Sequence, residues 1–211
     1  MRDLIIYGAG GHGKVVADAA ILSGRTVKGF IDDKAPIGFE IMHTAVIARK
    51  VSDLLLLRDK SFEVIVAIGD NRIRMGKIAQ LLSMGISIAT VIHPSAIIGD
   101  YVGVQTGAFV CAGAIINTHT VVGVGSIVNT GATLDHDNFI GPYVHICPGV
   151  HMGGNVVVKE GAHVSIGCSV RDKVCIGKWS VVGVGSVVVK DIPNNVVVYG
   201  CPAKVHKELQ Y

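Results

Sequence analysis

The sequence is poor in aromatic residues and in charge. Phe, Trp and Tyr supply 5% of its 211 residues, and Asp, Glu, Lys and Arg together 17%. The few aromatics do not interleave with a basic patch, which argues against an RNA-binding module. The formal net charge of +3 is too small to mark a nucleic-acid or membrane surface, so neither partner is expected. The short apolar run at residues 4–7 passes straight into a glycine loop, as a buried strand does and a signal peptide does not. With no apolar stretch long enough to span a bilayer, a cytoplasmic location is expected. The five cysteines, Cys111, Cys147, Cys168, Cys175 and Cys201, are odd in number and fit no zinc or disulfide spacing. They read as reduced packing residues.

What is abundant is a repeat. From Ile92 to Val188 every sixth residue is aliphatic or Met, without a miss. The position four residues after each is usually small or β-branched, with Asn138 the clear misfit. A helix repeats near 3.6 residues and a long strand every two, so neither explains a period of six. Short strands separated by sharp turns do, and the Val/Ile-rich composition favours strand. Gly often follows the hexad residue, as at Gly99, Gly123, Gly141, Gly153, Gly177 and Gly183, and is expected to supply turn geometry. Three strands per triangular coil give coils stacked at roughly 4.8 Å with inward aliphatic ladders.

The residues before the repeat read differently. Residues 4–7 form a strand, Gly8, Gly10 and Gly13 fill a G-x-G-x-x-G loop, 14–22 form a helix, and 27–31 form a second strand ending at Asp32 and Asp33. This is a βαβ unit whose loop backbone and helix N-terminus suit an anion such as a diphosphate. A loop with a short strand over 37–48, a short helix over 52–58, a strand over 62–68 ending at Gly69, a helix over 72–84 and a short strand over 86–90 complete about 90 residues. That is too little for a full dinucleotide fold. A small Rossmann-like nucleotide handle over 1–90 is expected, before a β-helix and tail over 91–211. The tail from residue 205 reads as a helical turn.

Within the coil, Asp135, His136 and Asp137 form the richest polar break. His136 is a natural general base near neutral pH, and an adjacent carboxylate raises its basicity if a turn brings the two side chains together. Counting three hexads per coil stacks Asn117 on Asp135, His119 on Asp137 and His145 on His163. Such stacks bring at most two imidazoles to one place, so no metal is expected. His145 lies half a coil from His136, so the two face different sides.

These features together resemble the bacterial hexapeptide-repeat sugar acetyltransferases. The hexads, the run Gly8-Ala9-Gly10-Gly11-His12-Gly13 with Asp32-Asp33, the turn Asp135-His136-Asp137 and the terminal Gly200-Cys201-Pro202-Ala203-Lys204 are similar to those of UDP-4-amino-sugar N-acetyltransferases and sialic-acid O-acetyltransferases. The resemblance implies a left-handed parallel β-helix, acetyl-CoA as donor and a homotrimer with active sites between subunits. It implies His136 as catalytic base beside Asp137. His145, Ile166 and Val184 match positions lining the acetyl-CoA groove, and Asn129 one close to the acceptor sugar. Gly10, Gly11, His12, Asp32, Asp33 and Gly69 match the nucleotide pocket.

The expected activity is acetyl transfer to the amino group of a UDP-linked 4-amino sugar. The rivals are O-acetylation of sialic acid or a related surface-polysaccharide sugar, a non-enzymatic carbohydrate-binding or scaffold β-helix, and a nicotinamide oxidoreductase.

Overall fold

The computed structural model describes residues 3–56 and 61–210. The chain divides into two compact units, Met1–Pro94 and Ser95–Tyr211.

The first unit is a small α/β domain. Strands β1 (Asp3–Tyr7), β2 (Val27–Ile31), β3 (Glu40–Ile41), β4 (Thr44–Ala48) and β5 (Phe62–Val66) form one sheet in the order β3-β4-β2-β1-β5. β1 runs parallel to both β2 and β5, and its core residues Leu4, Ile5 and Ile6 are buried. Helix α1 (Gly11–Leu22) begins inside the glycine loop, ahead of the expected start at residue 14, with Gly10 at its N-cap. It presents small residues, Gly13, Ala17, Ala19 and Ala20, on its buried side. Helix α2 (Asn71–Ser83) is capped by the Asp70 carboxylate, which accepts from the backbone N–H groups of Arg72 and Ile73, satisfying two otherwise unpaired donors. A 3₁₀ turn over Val51–Leu56 replaces the expected short helix; residues 57 and 58 lie outside the described residues. The expected strand over 86–90 reduces to one bridge, Ile88 to Val64.

The second unit is a parallel β-helix. Two-residue strands recur at the hexad period from Ile97–Ile98 to Val187–Val188, each pairing in parallel with its counterpart in the neighbouring coil. The second residue of each pair points inward: Val110, Val128, Ile146, Val164 and Val182 form one fully buried ladder. Each such side chain contributes about 1.5–3 kcal/mol by burial. Ile98, at the end of its ladder, is 36% exposed.

The turn chemistry differs from expectation. The glycines after the hexads do not supply left-handed backbone. A Cβ on Gly123, Gly141 or Gly177 would meet backbone of the next coil at 2.7, 2.9 and 2.4 Å, so these glycines permit close stacking. The left-handed corners fall in columns, one corner per coil. One column is entirely glycine, Gly113, Gly131, Gly149, Gly167 and Gly185. Another contains none: Tyr101, His119, Asp137, Asn155 and Lys173 hold φ between 57° and 61°.

The tail also departs from expectation. Instead of a helical turn, Ala203–Glu208 is a strand that pairs antiparallel with Val196–Gly200. The latter continues the parallel sheet beside Val181–Val182. Pairing satisfies backbone groups that a lone amphipathic turn would leave to water.

Candidate active site

The turn at residues 135–137 is built on the column of non-glycine corners. Asp137 adopts φ 57°, a conformation that Asp tolerates better than most side chains. This bend swings its carboxylate back beside the preceding ring, which successive residues of a flat strand could not do. Asp137 Oδ2 lies 2.7 Å from His136 Nδ1. Nδ1 therefore donates, which leaves Nε2 unprotonated in the neutral ring. That bond, opposed by slight desolvation and assisted by the charges of Asp135 and Asp137, raises the His136 pKa above the usual imidazole value.

The turn is fixed from both neighbouring coils. Asp137 N–H donates to Thr118 O at 3.1 Å, and His136 O accepts from Asn155 N–H at 2.9 Å. Asn117 Nδ2 reaches Asp135 Oδ1 at 3.1 Å, as the coil-by-coil stacking predicts. Asn138, the misfit in the hexad pattern, explains itself here. It is buried, its Nδ2 donates to Asp135 O at 2.7 Å, and its Oδ1 accepts from Val156 N–H at 2.7 Å. A small apolar residue in that slot would leave the turn without this brace.

Gly154 is part of the site and was missed in the sequence. It lies one full coil after His136, and that spacing is the signal that finds it. A Cβ at Gly154 would come within 2.6 Å of His136 Cε1 and Nε2. Gly154→Ala is therefore expected to displace the imidazole and lower kcat about tenfold or more, with the thermal melt little changed; unaltered kcat would show that the ring position is not critical.

The other β-helix residues gather elsewhere. His145 heads a strand in a different sheet from those flanking the turn, as the half-coil offset requires. Asn129 joins it: Asn129 Nδ2 lies 3.0 Å from His145 Nε2. Ile166 and Val184 are 54% and 72% exposed and occupy equivalent corners one coil apart, with Gly185 N–H donating to Ile166 O at 2.9 Å. They form an apolar ridge open to a ligand. His119 stacks on Tyr101, with ring centroids 5.0 Å apart.

The second cluster lies in the α/β unit, where the loops following β1, β2 and β5 meet at the carboxyl ends of adjacent parallel strands, the usual ligand edge of such sheets. A Cβ added at Gly10, Gly11 or Gly69 would meet no atom within 4 Å, so the backbone there is approachable. The His12 pKa is pushed down to about 4 by burial and then by the Arg74 cation, so the ring is neutral. Arg74 itself is fully buried and binds Ile68 O, Gly69 O and Asn71 Oδ1, fixing the loop after β5.

Asp32 and Asp33 are not equivalent. Asp32 accepts three backbone N–H bonds, from Ala9, Lys34 and Ala35, at 2.8, 2.9 and 2.9 Å. Burial opposes its ionisation, but these bonds and the Lys34 charge outweigh it and hold the pKa below the usual carboxylate range. Its carboxylate thus orders the loops. Asp33 accepts from Tyr7 Oη at 2.6 Å and Lys77 Nζ at 2.9 Å. With Ile37, Arg49, Lys50, Asp53 and Lys77 it lines a cleft of about 700 Å³. The three cations of this rim were not singled out in the sequence; each follows or interrupts an otherwise unremarkable stretch, and only the fold assembles them.

Among the described residues no helix is long and apolar enough to cross a membrane.

Comparison with known proteins bears on both clusters. The PglD N-terminal domain family matches residues 3–81. The acetyltransferase domain of PglB from Neisseria gonorrhoeae FA1090, solved in complex with acetyl coenzyme A, is 35% identical with a TM-score of 0.92, covering 97% of this chain and 99% of that one. PerB from Caulobacter crescentus, solved with CoA and GDP-perosamine, is 36% identical with a TM-score of 0.91, covering 97% of each chain. GDP-perosamine N-acetyltransferase of Escherichia coli O157:H7 is 28% identical over 187 residues, 84% of this chain and 81% of that protein. Three further acetyltransferases match over shorter stretches, and the chain spans only 30%, 40% and 20% of their lengths.

Proposed function

Because the chain belongs to the left-handed β-helix family of bacterial sugar N-acetyltransferases and is an acetyl-CoA-binding acyltransferase, we propose that it acetylates the amino group of a nucleotide-linked amino sugar, with His136 as general base. The observation that carries this reading is the 2.7 Å contact between His136 Nδ1 and Asp137 Oδ2. It leaves Nε2 free of a proton, in a turn braced by Asn138 and cleared by Gly154.

In this scheme the sugar amine attacks the thioester carbonyl of acetyl-CoA. A C–N bond forms, the C–S bond breaks, His136 Nε2 takes the amine proton, and the departing thiolate of CoA is reprotonated. Asp137 holds the tautomer and stabilises the imidazolium. His145, Asn129, Ile166 and Val184 line the acetyl-CoA and acceptor side. Their separation from His136 around the coil supports a homotrimer in which one subunit supplies the base and its neighbour the rest.

The small α/β unit acts as a Rossmann-like handle for the nucleotide. Gly10, Gly11, His12, Asp33 and Gly69 border the ligand, and the Arg49, Lys50 and Lys77 side chains neutralise a diphosphate. Lys77→Ala and Arg49→Ala are each expected to raise KM for the nucleotide sugar about tenfold while sparing KM for acetyl-CoA. Equal effects on both constants would place the nucleotide elsewhere.

The sequence reading favours a UDP-linked 4-amino sugar. Similarity to a protein solved with GDP-perosamine and to one named for it favours GDP as the second reading. Thiol release from acetyl-CoA with matched UDP- and GDP-linked amino sugars separates them by kcat/KM. No release with any amino sugar would reject both.

The dyad also sets a pH dependence. His136 must be neutral to act, so activity falls as pH drops through its raised pKa. Asp137→Asn removes the carboxylate whose hydrogen bond and charge raise it, so the acidic limb of kcat/KM should move to lower pH, with a lower plateau. A limb that stays in place would assign it to another group.

A further inference from the structure

Three side chains beside the strands His145–Ile146 and His163–Val164 form a compact cluster of metal-ligating types. His145 and Cys147 are two residues apart, so they leave the chain on one side. His163 pairs with His145 one coil later, and their rings meet nearly edge to face, centroids 5.1 Å apart at 78°. Cys147 Sγ lies 3.3 Å from His163 Nε2. One ligand atom from each of the three lies within 4.8 Å of the others. His145 and Cys147 are 7% and 5% exposed, and His163 is half-buried.

The Asn129 hydrogen bonds define the role of His145 Nε2. Asn129 Oδ1 accepts from Cys111 Sγ at 3.2 Å and from Thr130 N–H at 2.8 Å. This turns the Asn129 amide so that its NH₂ faces His145 Nε2, which accepts. Cys147 Sγ and His163 Nε2 share one hydrogen bond, and a cation would take the place of its proton. Imidazole and thiolate are the ligand types of zinc-class ions. Bond lengths of about 2.3 Å to sulfur and 2.0–2.1 Å to nitrogen separate tetrahedral ligands by roughly 3.4–3.6 Å. The Cys147–His163 pair already has nearly that spacing, and with all three ligand atoms within 4.8 Å a bound cation requires His145 to move by only about 1 Å.

We propose that His145, Cys147 and His163 form a binding site for a borderline-soft divalent cation of the zinc class, with a fourth position open. The sequence expectation of no metal counted imidazoles alone; Cys147, read there as packing, supplies the third ligand. Occupancy takes His145 Nε2 away from Asn129. If acetyl-CoA lies along His145, the cation competes with it; that consequence rests on the proposed function, whereas binding does not.

The test uses the full chain, reduced and stripped of metal, with cobalt(II) as probe. One cobalt per chain is expected to give near-ultraviolet thiolate-to-cobalt absorption and the strong visible bands of four-coordinate cobalt, both abolished by added zinc. Cys147→Ser should remove the near-ultraviolet band, and Cys201→Ser should leave it. His163→Phe should weaken cobalt binding at least about tenfold, since a direct ligand matters no less than an outer-sphere partner. X-ray absorption of the zinc-loaded wild type should show one sulfur and two imidazoles, so the result does not depend on a variant folding. No thiolate band in the wild type, or one that survives Cys147→Ser, overturns the site. Cobalt binding as expected with acetyl transfer unimpaired by zinc supports the site and contradicts the placement of acetyl-CoA along His145.

Discussion

His136→Ala lowers kcat for acetyl transfer by about 10²–10⁴-fold, the usual contribution of a positioned general base, and leaves the β-helix folded. The fold is insensitive because the turn is held by other groups. The backbone bonds to Thr118 and Asn155 and the Asn138 side-chain bonds all remain, and the His136 side chain is 50% exposed. The chemistry is sensitive because the imidazoles nearest along the chain are engaged by other groups: His119 stacks on Tyr101, His145 meets Asn129 in another sheet, and His151 Nδ1 lies 2.8 Å from Thr133 Oγ1. Kinetics on protein with an unchanged thermal melt make the test. Turnover within about twofold of wild type would reject His136 as the base, because even weak general-base catalysis exceeds that.

Gly13→Ala destabilises the α/β unit by about 3 kcal/mol or more, the upper end of overpacking costs. A Cβ at this position would lie 1.9 Å from Gly8 O and 2.9 Å from Gly8 C. Both are backbone, so no side chain can rotate away. Relief requires α1 to move off β1, which would disturb the packing of buried Val16, Ala17 and Ala20. Gly10→Ala and Gly11→Ala supply the contrast, since open space surrounds both; their cost should stay within about 1 kcal/mol. Urea denaturation of the three variants reads the difference. Equal stability of Gly13→Ala and Gly11→Ala would show that α1 does not approach the β1 loop this closely.

Much of this was legible in the sequence because periodicity is a backbone property. A strict hexad period leaves only stacked short strands, and counting three hexads per coil then placed Asn117 on Asp135 and His145 on His163. The glycine loop and acidic pair likewise fall, as the βαβ reading expects, at the carboxyl ends of the parallel strands. What escaped depends on contacts across coils. Asn138 looked like a lapse in the pattern, and only its bonds to Asp135 and Val156 reveal a brace. The glycines after the hexads looked like turn formers, but proximity of the next coil, not φ, demands them. The three backbone N–H bonds that Asp32 accepts were likewise not legible in the sequence. The tail looked amphipathic, but its strand Ala203–Glu208 is exposed at every residue after Ala203 and is placed by backbone pairing with Val196–Gly200.

Product analysis tests the central claim most directly. The purified protein is incubated with acetyl-CoA and a nucleotide-linked amino sugar, and the product is examined by mass spectrometry and NMR. The product is expected to gain the mass of one acetyl group and to carry an amide at the former amine, with one CoA thiol released per product, all lost in His136→Ala. An ester on a sugar hydroxyl, or no acetylated product across UDP- and GDP-linked amino sugars, would contradict it.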